Sequence, residues 1–129
     1  MAVESALYVV TGKAENDLST KLYYAVELSG ANLQVDVPDN AGDTVFGVLQ
    51  NKPTAGQAAS VMVLGITKWV SDGNAGAIVV GDVLGTDAAG KCVKKTANNA
   101  KIAGIALSAS TADGTIIDVL LTPGVYFGA

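Results

Sequence analysis

The sequence contains no histidine, and all eight of its basic residues are lysine, so arginine is absent as well. Histidine is the usual general base and metal ligand near neutral pH, and arginine is the preferred partner of phosphates and base edges. The formal net charge is −4, and the basic residues cluster only within residues 91–101. Because nucleic-acid-binding proteins usually carry a basic stripe, we expect no nucleic-acid partner.

Cysteine occurs once, at Cys92, which excludes a disulfide within the chain. With no histidine to act as its base, Cys92 is better explained as a packed residue than as a nucleophile. The N-terminus lacks the basic and long apolar segments of a secretory signal, so we expect the protein to be made and used in the cytoplasm, or assembled there into something larger. No apolar run reaches the roughly 18 residues that a membrane-spanning helix needs, and we expect no membrane partner.

Hydrophobic residues make up 50% of the chain, but aromatic residues only 5%. The core must therefore be built from valine, isoleucine, leucine and alanine. The mean hydropathy of +0.39 is high for a protein that functions as a monomer, and only 16% of the residues are charged. We expect apolar surface to be covered by copies of the chain or by a larger partner.

Two pairs of apolar segments share one pattern and predict two related hairpins. Val45–Gln50 and Ser60–Val70 flank a turn-prone connector, and Ile102–Leu107 and Thr115–Thr122 repeat the arrangement near the end of the chain. With one inserted loop residue, Val61 and Val63 of the first pair align with Val119 and Leu121 of the second. The sequence thus predicts a core over residues 45–122 within a single domain, 1–129.

The remaining segments also read as strands separated by turns. Lys21–Leu28 alternates apolar and polar residues, which predicts a strand with one wet face, and Leu33–Val37 continues it as a hairpin. Ala77–Thr86 is interrupted by a corner at Gly81 and Asp82, and residues 87–90 form the next turn. The predicted fold is all-β, a small β-barrel or β-sandwich of short antiparallel strands, with residues 1–11 as an extended N-terminal arm or edge strand.

No pattern of residues indicates catalysis or a bound cofactor. Asp36, Asp39 and Asp43 cluster in sequence, but their spacing matches no calcium-binding loop, and we interpret them as solvated carboxylates. The glycines form no phosphate-binding motif. The turn at residues 87–91 weakly resembles a carrier-domain tip, yet Lys91 follows the turn glycine, which favours a plain hairpin. We expect no enzymatic activity, no metal and no cofactor.

Three stretches carry a resemblance to a known family: GVLQNKPTAGQAASVMVLGITKWV, AIVVGDVLGTDAAGKCVK and IAGIALSASTADGTIIDVLL. In this order they resemble the small capsid decoration, or cement, proteins of tailed bacteriophages, over roughly Ala41–Leu121. The first forty residues do not align with the family pattern.

The resemblance implies a structural virion protein that binds the outer surface of an assembled phage capsid and stabilises it. Its partners would be the major capsid protein and copies of itself, with a homotrimer as the expected assembly. Because aromatic residues are enriched at interface hot spots, the subunit or capsid contacts are predicted at five aromatic residues. These candidates are Tyr8, Tyr23, Trp69, Tyr126 and Phe127, and ordinary packing is an equally good explanation for Tyr23 and Trp69.

Two other functional classes remain open from the sequence. The first is a small β-barrel that binds an apolar or carbohydrate ligand, which an apolar interior open to solvent would favour. The second is a cysteine hydrolase, which a reactive Cys92 would favour.

Overall fold

The computed structural model describes the backbone of residues 5–125 and the side chains of residues 5–122. This part of the chain forms nine β-strands and no helix. None of the described residues therefore forms a helix long and apolar enough to cross a membrane. The strands are β1 (Ser5–Ala14), β2 (Ala25–Leu28), β3 (Gln34–Asp36), β4 (Gly47–Leu49), β5 (Ala58–Asp72), β6 (Val83–Thr86), β7 (Cys92–Lys94), β8 (Lys101–Ala106) and β9 (Asp113–Val125).

The fifteen-residue strand β5 organises the sheet. Its first half pairs with β1 on one edge and β4 on the other, and β2 and β3 connect these two neighbours. Its second half pairs with β7 and β9, which β6 and β8 connect in the same way. The hydrogen-bonded strands thus close into two rings that share β5. The first ring contains β1, β3, β2, β4 and β5, and the second contains β5, β7, β6, β8 and β9.

Each ring has its own hydrophobic core, built almost entirely of aliphatic side chains. The first core draws on every strand of the first ring and on one loop residue. The second core draws on the second ring and on the opposite face of β2, β4 and β5. The buried members of the first core are Ala14, Leu18, Val26, Val35, Leu49, Ala59 and Val61. Those of the second include Ala25, Val48, Met62, Trp69, Ile78, Leu84, Ile117, Val119 and Leu121.

Strand β2 lies between the two cores, and this corrects the predicted wet face of Lys21–Leu28. Val26 belongs to the first core and Ala25 to the second, so both faces of the strand are covered there. Leu28, predicted to point inward, is 55% exposed. The strand is also shorter than predicted because Tyr23 has a positive φ of 65°, which extended backbone does not allow.

The two predicted hairpins are both present as antiparallel pairs. In the first, Leu49 of β4 pairs with Val61 of β5. In the second, Ala106 of β8 pairs with Val119 of β9. In each pair, the residue on the first strand lies two positions after a glycine. The registers of the two hairpins therefore correspond, as predicted by aligning the two hairpin segments of the sequence.

The sheet departs from the predicted short antiparallel strands in two ways. β1 runs parallel to β3, and β7 runs parallel to β5. In addition, β1, β5 and β9 are ten to fifteen residues long. The second ring is closed at β5 and β7 by one residue pair, Ser71 with Cys92, so the all-β fold is a mixed sheet and not a regular barrel.

Candidate interaction surface

The first half of β1 forms an exposed edge of the sheet. Residues 5–12 pair with β5, whereas β3 joins the other edge only from Lys13 onward. Residues 5–11, predicted as an arm or edge strand, therefore form an edge strand within the described part of the chain. Residues 1–4 of the predicted arm lie outside the described residues. An edge of this kind leaves backbone N–H and C=O groups free to pair with another strand.

A bulge in β1 turns apolar side chains outward at this edge. Ala6 pairs with Gly65 and Tyr8 with Leu64, which leaves Leu7 without a partner on β5. Gly65 has a φ of 124°, and a Cβ there would lie 2.8 Å from the backbone nitrogen of Leu7, so the site requires glycine. Bulges commonly serve to redirect side chains at the edge of a sheet.

The result is a group of exposed apolar side chains, Leu7, Tyr8, Val9 and Leu64, that we call the β1 patch. Leu7 is 72% exposed and Tyr8 62%, and Val9 and Leu64 are exposed by more than two fifths. Residues 5–12 carry no charge. Contiguous apolar surface on a soluble protein commonly marks a contact with another macromolecule.

Two of the other aromatic candidates, Trp69 and Tyr23, belong to the second core. Trp69 is completely buried in the second core, so packing and not surface contact explains it in the chain as described. Tyr23 is half-buried against the same core, and the ammonium of Lys68 lies 5.6 Å from the centre of its ring. Tyr126 and Phe127 lie outside the described residues. Within the described residues, the structure therefore brings neither Trp69 nor Tyr23 together with Tyr8.

The turn between β6 and β7, which weakly resembles a carrier-domain tip in sequence, has a structural role. The Gly90 carbonyl accepts hydrogen bonds from the backbone N–H of Ala25, at 2.8 Å, and from the indole N–H of Trp69, at 2.9 Å. Lys91 forms a 2.8 Å ion pair with Asp113. The turn thus ties the second ring to β2 and to the second half of β5.

Cys92 is fully buried in the second core. Burial raises the pKa of its thiol, and the charge of Asp87 acts in the same direction. A nucleophilic cysteine needs the opposite environment, one that favours the thiolate.

We expect Cys92 to resist modification in the folded protein. A water-soluble disulfide reagent should release less than a tenth of one equivalent of product per native chain over an hour, and one equivalent after denaturation. Titration with the reagent, followed by intact-mass analysis, measures this. Rapid stoichiometric labelling of the native chain would contradict the burial.

A second surface feature is a groove beside β2. The cavity has a volume of about 270 Å³, and we call it the β2 groove. It is lined by Glu27, Leu28, Thr44, Val45 and Phe46. One side comes from the outer end of β2 and the other from the segment that leads into β4.

Glu27, which lines the groove, belongs to a group of carboxylates. The carboxylate oxygens of Glu27, Asp39 and Asp43 lie within 4.8 Å of one another. Burial raises the pKa of Glu27 to about 7, helped by a hydrogen bond with Asp43 and by the negative charges of Asp43, Asp39 and Asp36. Exposed acidic groups often approach this closely without an ion, and we assign no metal to them.

Sequence reasoning grouped the three aspartates but missed Glu27. The β2–β3 hairpin brings it into the group, because Glu27 pairs directly with Asp36. The predicted hairpin of Lys21–Leu28 with Leu33–Val37 already implied that Glu27 lies close to the aspartates.

The raised pKa of Glu27 predicts a pH-dependent stability. The folded chain holds the Glu27 proton more tightly than the unfolded chain, whose carboxyl titrates near 4.5. The stabilisation is complete below pH 4.5 and is lost as the pH rises through about 7. Because Glu27 is partly exposed and screened by solvent, we expect a loss of about 1 kcal/mol.

Urea denaturation at pH 5 and at pH 8 measures this difference. In Glu27→Gln, whose amide keeps the shape of the protonated acid, the difference between the two pH values should shrink by about 1 kcal/mol. Equal pH dependence in both proteins would show that Glu27 does not carry the effect.

Comparison with known proteins identifies the family. A family model described as phage cement protein matches residues 6–121. The chain belongs to the phage cement protein family. The cement protein is thus a structural phage protein associated with the capsid. The match includes most of the first forty residues, which the sequence pattern alone did not align with the family.

Among solved structures, the N base of the head fiber gp8.5 in bacteriophage phi29 is similar to the cement protein. The TM-score is 0.70, and the match covers 92% of this chain and 97% of that chain. The sequence identity is 15%, so the likeness shows a shared fold. The search of curated proteins gave no match.

Proposed function

We propose that this cement protein binds the outer surface of an assembled phage capsid as a homotrimer and stabilises the shell. Its partner is the major capsid protein, and it is made in the host cytoplasm before it joins the virion. The family supports this role, because its model is described as phage cement protein. The phi29 head fiber base, whose fold is similar, belongs to a protein on a phage head.

The observation that carries the proposal is the β1 patch. It combines an uncharged strand edge with apolar side chains that a bulge directs outward. An extended segment of the capsid protein can pair with the free edge while its side chains cover Leu7 and Tyr8. Binding that buries this surface only in the assembled shell stabilises the shell by mass action.

No enzymatic role is part of the proposal. Cys92 is inaccessible, and its thiol is held protonated. The ligand-binding alternative also gains little support, because the β2 groove is smaller than the roughly 300–1,000 Å³ of pockets for drug-sized ligands.

Co-sedimentation with mature heads and with immature proheads tests the proposal. We expect saturable binding to mature heads and a higher temperature of DNA release from decorated heads. Sedimentation equilibrium of the free protein tests the homotrimer separately. Binding to neither particle would remove the decoration role.

Substitutions in the β1 patch should weaken binding without affecting the fold. We expect the double variant Leu7→Ala, Tyr8→Ala to bind heads at least about tenfold more weakly, because it removes a central apolar anchor. The matched control is Val79→Ala, Val80→Ala, which removes side chains 55% and 65% exposed on a turn of the second ring. Equal affinity of both variants for heads would exclude the β1 patch as the contact.

A further inference from the structure

The β2 groove has features of a docking site that the proposed capsid contact at β1 does not use. Its apolar wall contains Leu28, which is 55% exposed although it lies in a strand. Val45 and Phe46, both half-buried, also line the cavity. A leucine exposed beside a cavity costs free energy in water, and contact with a partner side chain would recover part of it.

The size and shape of the groove limit what it can hold. A volume of about 270 Å³ is small for an independent ligand but sufficient for one long side chain. Glu27 lines the groove together with the apolar residues, and the carboxylate oxygens of Asp39 and Asp43 lie within 4.8 Å of the Glu27 carboxylate. A lysine or arginine side chain has the matching form, since its methylene stem packs on apolar surface while its charged end reaches polar groups.

The charge around the groove favours a cationic occupant. No lysine among residues 5–125 forms an ion pair with Glu27, Asp39 or Asp43. The nearest lysine contact to this loop is made by Lys95, whose ammonium donates a 3.0 Å hydrogen bond to the carbonyl of Ala41. Burial is the main cause of the raised pKa of Glu27, and the hydrogen bond with Asp43 and the nearby negative charges add to it.

We propose that the β2 groove receives a lysine or arginine side chain from a segment of the capsid protein. The stem of that side chain packs between Leu28 and Phe46, and its charge pairs with Glu27 and Asp39. This inference rests on the proposed function for the identity of the partner. It adds a second, electrostatic contact to the apolar contact at β1.

The first test uses the full chain and a blocked lysine tripeptide, with the glutamine tripeptide as the neutral probe. In a ¹⁵N-correlated NMR titration at low salt, the lysine peptide should shift the amide signals of Glu27, Leu28 and residues 44–46. The neutral peptide should leave them unchanged. Shifts of equal size with both peptides, or shifts spread over the surface, would overturn the proposal.

The second test compares two charge-matched variants for binding to mature heads. Glu27→Gln, Asp39→Asn removes two carboxylates at the groove, while Asp72→Asn, Asp113→Asn removes two at the far end of β5. The groove variant should bind about tenfold more weakly at low salt and lose most of its salt dependence. The control variant should match the natural chain.

The outcomes separate this inference from the proposed function. If the natural chain does not bind heads at all, the capsid role fails, whereas lysine-peptide binding at the groove stands on its own. If the natural chain binds heads and the groove variant binds equally well with the same salt dependence, the groove proposal fails. Glu27→Gln is expected to fold, because its amide replaces a carboxyl that is largely protonated below pH 7.

Discussion

Replacing Trp69 by alanine is expected to lower the free energy of unfolding by about 4 kcal/mol, and the melting temperature by about 15 °C. Trp69 is fully buried in the second core, and it lies on β5, the strand that both rings share. Its removal leaves a large cavity. It also removes the indole hydrogen bond to the Gly90 carbonyl, which anchors the β6–β7 turn.

Trp69→Phe separates the packing from the hydrogen bond. Phenylalanine retains much of the apolar volume, and the Gly90 carbonyl keeps its hydrogen bond from the Ala25 N–H. We expect this variant to lose about 2 kcal/mol, half the effect of alanine. Chemical denaturation followed by circular dichroism measures both losses. A loss below 1 kcal/mol for Trp69→Ala would contradict the buried position.

Alanine at Gly47 or Gly104 is expected to cost at least about 2 kcal/mol, by a similar amount at each site. The two glycines occupy equivalent places in the two hairpins. A Cβ at Gly104 would lie 2.5 Å from Val119 Cγ1 and 2.7 Å from the Leu120 carbonyl oxygen. A Cβ at Gly47 would meet the Cγ1 of Val61 and the carbonyl of Met62 in the same way.

Gly76 provides the matched control for these substitutions. A Cβ there meets no atom within 4 Å, and Gly76 is not among the glycines with a positive φ. Gly76→Ala should therefore be neutral or slightly stabilising, since alanine restricts the unfolded chain. Thermal denaturation of the three variants makes the comparison. If Gly47→Ala and Gly104→Ala were as stable as Gly76→Ala, the close strand contacts in both hairpins would be wrong.

These two predictions concern the part of the molecule that supports the candidate surfaces. Gly47 begins β4, and the segment before it forms one side of the β2 groove. β5 carries Trp69 in its second half and Gly65, opposite the β1 bulge, at its centre. Loss of packing along β5 is therefore expected to disturb the β1 patch as well as overall stability.

Local sequence information was sufficient for the two hairpins. The pairings of Leu49 with Val61 and of Ala106 with Val119 follow from two apolar segments around a turn. The corner at Gly81 is also present, where Val79 and Asp82 close a turn before β6. Each of these features depends on residues close together in the chain.

The candidate surfaces were less predictable. The sequence proposed Tyr8 as one of five aromatic residues, and it left surface contact and packing equally open for Trp69, which is buried. An aromatic residue in a strand does not reveal by itself which face is covered. The groove was missed because Glu27 and Asp43 are sixteen positions apart and meet only after β2 has paired with β3.

The sequence by itself determined an all-β chain with two related hairpins, an aliphatic core and a family resemblance. Alternation and turn residues are local, and they specify strands without reference to the rest of the molecule. The tertiary structure decided that β5 is shared by two rings and that β2 lies between two cores. It also decided that Leu7 and Tyr8 are exposed while Trp69 is buried. These outcomes depend on pairings between distant strands, and the pairing of a strand determines which of its faces is covered.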